Sequence, residues 1–157
     1  MDRRQRQRSI RDRGHTCALL YTTGKFTKMY PLPDKTAESV GGTLLDVLNN
    51  IGVPKEMVAD LGSEMVGRHT TFRKELIKRG IPMRNAEKGR HGQNGRAELE
   101  IDQVKRRWKD LMVRKKVPSR LWDYALVWIS EILSHLARGK DGIPGIEELT
   151  GQTADIS

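Results

Sequence analysis

Between Gly95 and Lys115 apolar residues recur at Ala97, Ile101, Val104, Trp108 and Leu111, the three-and-four spacing of one helix face. This is the best-patterned element of the chain. Glu98, Asp102, Lys105 and Lys109 repeat at the same spacing and line an adjoining polar face. Pro118 and Ser119 restart the chain, and Leu121, Trp122, Ala125, Ile129, Ile132, Leu133 and Leu136 mark another long helix, closed by Gly139. Trp108, Trp122 and Trp128 all sit at or beside these stripes and are expected in the core, which argues against base stacking.

Upstream, the period changes. Residues 16–21 and 26–30 read as strands, and Thr22-Thr23-Gly24-Lys25 between them reads as a hairpin turn, with Pro31 and Pro33 ending the pair. Asp34 or Thr36 starts a helix with the stripe Val40, Leu44, Val47, Leu48 and Ile51, stopped by Gly52 and Pro54. Gly41 and Gly42 inside it weaken the helix or let it lie close on a sheet. Residues 55–60 form a third strand ending in an acid and a glycine turn. Residues 69–79 form a helix with Phe72, Leu76 and Ile77 inward, ended by Gly80. Residues 81–83 make a short edge strand, because Pro82 forbids a central one. Residues 85–93 have no periodicity and two glycines, and read as a flexible basic loop. Residues 143–151 hold a single helical turn. This order of elements is α/β with a mixed sheet.

The 157 residues bound the chain to one domain or part of one, with 36% hydrophobic and 31% charged residues, a polar-leaning globular composition. No apolar run reaches the length of a membrane span, and the N-terminal arginines lead into no apolar signal segment. Cys17 is the sole cysteine, which excludes a disulfide framework and a thiolate zinc site and suits a reducing, intracellular compartment, nucleus or cytoplasm. The net charge of +9 favours a polyanionic partner, nucleic acid being the commonest. Residues 1–13, with Arg3, Arg4, Arg6, Arg8, Arg11 and Arg13, read as a disordered basic arm ahead of a domain at 14–157.

Two acids stand out. Asp60 closes an apolar run in Asp60-Leu61-Gly62-Ser63-Glu64. Glu98 opens a helix in Asn94-Gly95-Arg96-Ala97-Glu98, where Asn94 can cap it. A carboxylate at a strand end and another at a helix start suit divalent-metal and phosphate chemistry. The plain structural readings are a turn acid for Asp60, a surface acid for Glu98 and a helix-start acid for Glu64. His91 has no second ligand at zinc spacing.

These two segments resemble the second Asp and the final Glu of the D-D-E integrase core of retroviruses and long-terminal-repeat retrotransposons. The ending Glu147-Glu148-Leu149-Thr150-Gly151 looks like the P-x-E-x-x-T-G stretch of copia-type elements, and the hairpin also fits the family. The likeness covers about residues 14–157. There are departures. The 37 residues between Asp60 and Glu98 are two more than the family's usual number, Leu99 stands where many relatives carry Arg, and Thr22 and Thr23 stand where relatives often carry Asp. The family's first catalytic Asp precedes the hairpin on a central strand. Here that region is the arginine arm, and Asp2 lies among Arg and Gln.

The resemblance implies a ribonuclease H-like fold, a mixed sheet flanked by helices, N-terminally truncated and lacking or disordering its first central strand, since a buried parallel strand must be apolar on both faces. It implies Asp60 and Glu98 as catalytic, metal-holding residues for Mg²⁺ or Mn²⁺. Lys88, Arg90, Asn94, Arg96, Lys105 and Lys109 are then expected against nucleic acid, and Asp102 departs from the basic character expected there. The implied activity is metal-dependent polynucleotidyl transfer in DNA integration. The implied partners are element ends, target DNA and a second copy of the chain, and no membrane. Two other readings fit the same residues: a basic DNA- or RNA-binding module without catalysis, and a nuclease of the same fold.

Overall fold

The computed structural model describes residues 15–59, 65, 67–85, 95–136 and 140–152. These fall into two units, one up to residue 31 and again from residue 97, the other spanning residues 32–96. The arginine arm lies outside the described residues, as do residues 60–64 and 86–94.

In the first unit, strands β1 (Cys17–Thr23) and β2 (Phe26–Leu32) pair through a two-residue turn, which returns the chain antiparallel. Gly24 takes φ +53 at the first turn position, the conformation that a II′-type hairpin turn needs and that glycine supplies without strain. Thr22 and Thr23 therefore belong to the strand rather than the turn. β2 also runs through Pro31, which the sequence pattern took as its end. The reason is parity. The Thr27 and Met29 N–H groups point along one edge of β2 to the hydroxyls of Ser134 (2.8 Å) and Ser130 (3.2 Å). Pro31 falls on that same edge, where its missing N–H breaks no ladder bond with β1.

The serines stand on α4 (Trp122–His135), which follows α3 (Gly95–Arg114) after a tight turn at Ser119–Leu121. Met29, Val104, Leu126, Ile129 and Leu133 form the core of this unit, with Ala18, Leu20, Trp108, Leu111 and Trp122 packed against it. Each such buried aliphatic side chain is worth about 1.5–3 kcal/mol. Trp108 also donates its indole N–H to the Trp122 carbonyl at 3.0 Å. Trp128 differs from expectation: it is 52% exposed. Its neighbour Ile129 takes the inward position, and a residue one step away on a helix is turned by about 100°. Leu136 is exposed for a related reason, since α4 ends at His135 and Leu136 is already extended. The last described element is α5 (Gly145–Thr150), the single turn expected near the C-terminus, closed by Gly151 at φ +70.

In the second unit, α1 (Ala37–Asp46) begins at Thr36, whose hydroxyl accepts from the Ser39 N–H, and runs on into a wider turn at Val47–Ile51. Gly52 ends it by donating to the Val47 carbonyl five residues back. Val40, Leu44, Val47 and Leu48 are buried as the period predicts. Gly41 is a close-approach site, against a helix and not a sheet: a Cβ there would lie 2.6 Å from the Thr71 Cβ. Thr71 opens α2 (Thr71–Lys78), capped by Thr70. Phe72 and Leu76 are buried, but Ile77, expected inward, is 65% exposed. It stands about 140° around the helix from Phe72, beyond a stripe this narrow. Gly80 at φ +66 closes α2, with Gly80 donating to Ile77 and Ile81 to Leu76, so that buried Ile81 covers the last turn.

Strand β3 (Met57–Ala59) pairs in parallel with β4 (Met83–Asn85), Met57 opposite Met83. β4 thus starts after Pro82, where 81–83 was expected, and Pro82 serves as an acceptor for the Met57 N–H. Both antiparallel and parallel pairs are present, as two separate two-stranded ladders among the described residues. The fold class is α/β, with helices accompanying small sheets. Among the described residues no helix is long and apolar enough to cross a membrane.

Candidate active site

α3 carries Glu98 in its first turn, where a carboxylate is favoured by the helix's positive end. At 100° per residue, Asp102, Lys105 and Lys109 fall within about 40° of Glu98 around the helix. All four are exposed. The polar face expected from the sequence is therefore present, one acid pair followed by one lysine pair. Arg96 is exposed but stands about 200° around the axis from Glu98, so it flanks that residue along the chain and not on its face. Arg106, Arg107, Arg114, Lys115 and Lys116 are exposed as well, and Arg114 sits 3.6 Å from Asp110 in a surface ion pair.

Asp60, Lys88, Arg90 and Asn94 lie outside the described residues, as do Glu64 and His91. β3 ends at buried Ala59, the residue before Asp60. Among the described residues no three His, Cys, Asp or Glu side chains are grouped to hold a metal ion. Exposed Glu98 is the hard oxygen donor that Mg²⁺ prefers, and a single such donor is too few to define a site.

The sequence pattern passed over buried polar residues at three places: Glu100, the serine pair Ser130 and Ser134, and Asp123. Glu100 is buried at 4% exposure and accepts from the Thr27 hydroxyl at 3.0 Å. Its signal was available, because Glu100 is one turn before Val104 on the buried stripe. Ser130 and Ser134 likewise follow the phase of Leu126 and Leu133 closely enough to be buried. The third is Asp123, buried at the start of α4, with its Oδ2 2.9 Å from His15 Nδ1 and its Oδ1 accepting from the Tyr124 N–H. Nothing in the spacing links residues 15 and 123.

Burial pushes the Asp123 carboxyl up, but the hydrogen bonds from His15 and the Tyr124 N–H outweigh it and hold the group below the ordinary aspartate value. A carboxyl held low in the folded chain supports folding above its unfolded pKa and withdraws that support as pH falls through the folded value. Asp123→Asn is therefore expected to lower stability at pH 7 and to flatten the loss below about pH 4. Denaturant midpoints at neutral and acid pH check this, and parallel pH profiles for parent and variant would contradict it.

The fold is of the ribonuclease H-like kind found in integrase catalytic cores. Among solved structures it is similar to the catalytic core domain of BIV integrase, at 16% identity and a TM-score of 0.68, covering 85% of this chain and 84% of that one. It is also similar to the HTLV-2 integrase catalytic core domain in complex with magnesium, in a trimeric form, at 13% identity and a TM-score of 0.63, covering 85% and 91%. At these identities the likeness establishes the fold. No family model matches the chain, and no curated protein matches it in sequence.

Proposed function

We propose that the chain is a catalytic-core portion of a retrotransposon integrase of the copia type, binding DNA and descended from an enzyme of metal-dependent polynucleotidyl transfer. The observation that carries this reading is the match of fold over 85% of the chain, with Glu98 exposed in the first turn of α3 and Lys105 and Lys109 on its face. In this reading Asp60 and Glu98 hold Mg²⁺ or Mn²⁺, which supplies Lewis-acid activation for in-line attack at phosphorus. Lys105, Lys109, Arg96, Lys88, Arg90 and Asn94 contact the DNA, largely through phosphates. The chain works inside the cell, in nucleus or cytoplasm. The HTLV-2 domain's magnesium complex supports the choice of metal.

The test is a DNA-end substrate with and without Mg²⁺. Nicking or strand transfer is expected only with metal, and Glu98→Gln is expected to lower it by about a hundredfold or more while binding persists. Lys105→Ala is expected to weaken binding equally across sequences and to reduce the salt slope by about one. A second reading has its own support: the net charge of +9 suits a polyanionic partner with or without catalysis. A non-catalytic nucleic-acid-binding module would show the same salt-sensitive binding with no metal-dependent reaction. A nuclease of the same fold would cut without joining.

A further inference from the structure

We propose that the outer face of α2 docks an acidic protein segment, one that sets carboxylates around an apolar anchor. This inference is independent of the DNA chemistry above, which rests on α3. Ile77 is 65% exposed on this face. Around the helix, Arg73 lies about 40° from Ile77 on one side, and Lys74 and Lys78 lie about 60° and 100° from it on the other. Lys74 and Lys78 are exposed, Arg73 is half-buried, and exposed Arg68 stands just ahead of the helix. Among the described residues no acid pairs with any of these four cations. The other cations close by in the chain are satisfied. Arg79 lies 3.8 Å from Glu75 and donates to the Asn49 side-chain oxygen at 2.7 Å, and Arg84 lies 3.2 Å from Glu56. Glu75 is the one acid of α2, and it stands about 160° around the helix from Ile77, off the face.

These charges work against their own helix. Arg73 and Lys74 stand close to the start of α2, whose first turn holds no acid, although the positive end of a helix disfavours cations. Lys74 and Lys78 are four residues apart, and like charges at that spacing repel. By contrast, α3 and α4 each carry an acid in the first turn, Glu98 and Asp123. A face with this repulsion and no counter-charge within the chain is matched to an external anion. Ile77 in its midst decides the kind. A phosphate backbone offers cations their counter-charge but gives Ile77 nothing to pack on, whereas a protein interface sets an apolar centre inside a polar rim. Carboxylates of the docked segment therefore meet Arg73, Lys74 and Lys78, and its anchor covers Ile77.

Fluorescence anisotropy of the full chain tests this with three labelled probes: a peptide of glutamates flanking a central leucine–phenylalanine pair, a peptide of glutamates alone, and a short DNA duplex. The peptide with the apolar pair is expected to bind about tenfold tighter than the all-glutamate one. Ile77→Ser is expected to remove that advantage and to leave duplex binding and the thermal melt unchanged, because the side chain is mostly out in solvent. Lys74→Glu is expected to weaken the apolar-pair peptide at least about tenfold while the melt rises, since the exchange relieves the repulsion with Lys78 and suits the helix start. A lysine with a merely structural role would lower the melt. Absent peptide binding, equal affinity for the two peptides, or an Ile77→Ser chain that keeps the preference overturns the proposal. If Lys74→Glu weakens the duplex as much as the peptide, the face is a nucleic-acid tract and the proposal falls.

Discussion

Gly145→Ala is expected to destabilise the chain by about 3 kcal/mol, at the upper end of what a single overpacked methyl does. The cause is backbone against backbone. A Cβ on Gly145 would lie 2.5 Å from both the carbonyl carbon and oxygen of Lys25, and 2.6 Å from the Phe26 nitrogen. Main-chain atoms of a hairpin turn have no rotamer by which to retreat, so α5 and the turn must part. Three further ties hold them together. Lys25 Nζ bonds Asp141 and also donates to the Ile143 carbonyl at 3.1 Å, and the Glu148 carboxyl lies over Gly24. The Lys25 hydrogen bond holds the Asp141 carboxyl below its ordinary range. These exposed charged contacts are nonetheless minor, and Lys25→Met is expected to cost far less than Gly145→Ala. Urea midpoints compare the two. If Lys25→Met proves the more damaging, the turn is held by charge and not by the close fit of Gly145. Gly41→Ala is the internal control. Its Cβ would also clash, 2.6 Å from the Thr71 Cβ, which moves only with its backbone, but the helix gains about 1 kcal/mol of propensity when Gly becomes Ala, so a smaller net loss than at Gly145 is expected.

Local chemistry was legible in the sequence wherever one residue settles the matter. Thr36 caps its helix, and Gly52 and Gly80 end theirs, because a capping hydroxyl or a missing Cβ acts within a turn of its own position. The α3 polar face with Glu98, Asp102, Lys105 and Lys109 was legible for the same reason: helical phase is a property of spacing alone. What escaped depends on partners distant in the chain. Ile77 and Trp128 are apolar and near a stripe, but which neighbours cover a stripe sets its width, and periodicity does not report that. Pro31 was read as a strand end because its edge was unknown, and the edge is set by serines about a hundred residues later. Glu100 sat in plain view at a buried phase, yet a carboxyl is not expected inside until the Thr27 hydroxyl that meets it is known. At the candidate site, Glu98 is placed by its own helix, whereas Asp60, Lys88, Arg90 and Asn94 belong to glycine-bearing segments with no period to phase them.

Ser134→Ala is the other substitution expected to act strongly, by about 2–6 kcal/mol, because one hydroxyl serves two buried main-chain groups. Ser134 Oγ accepts from the Thr27 N–H at 2.8 Å and donates to the Thr27 carbonyl at 2.7 Å. Thr27 is 1% exposed, as is Ser134, so water has no access to take over either bond. The variant leaves a donor and an acceptor unsatisfied on a strand edge, each at a penalty of about 1–3 kcal/mol. Ser130 supplies a scale. It accepts the Met29 N–H, at the longer distance of 3.2 Å, and its own hydrogen goes to the Val127 carbonyl of its own helix. Ser130→Ala is therefore expected to lose about half as much. Thr27→Val, which keeps the shape and removes the hydroxyl given to Glu100, is expected near 1–3 kcal/mol by the same accounting for one buried acceptor. The ranking Ser134, then Thr27 and Ser130, is what denaturant titrations should return. Equal losses at Ser130 and Ser134 would mean that α4 contributes packing alone to this edge, and that β2 does not depend on it for hydrogen bonds.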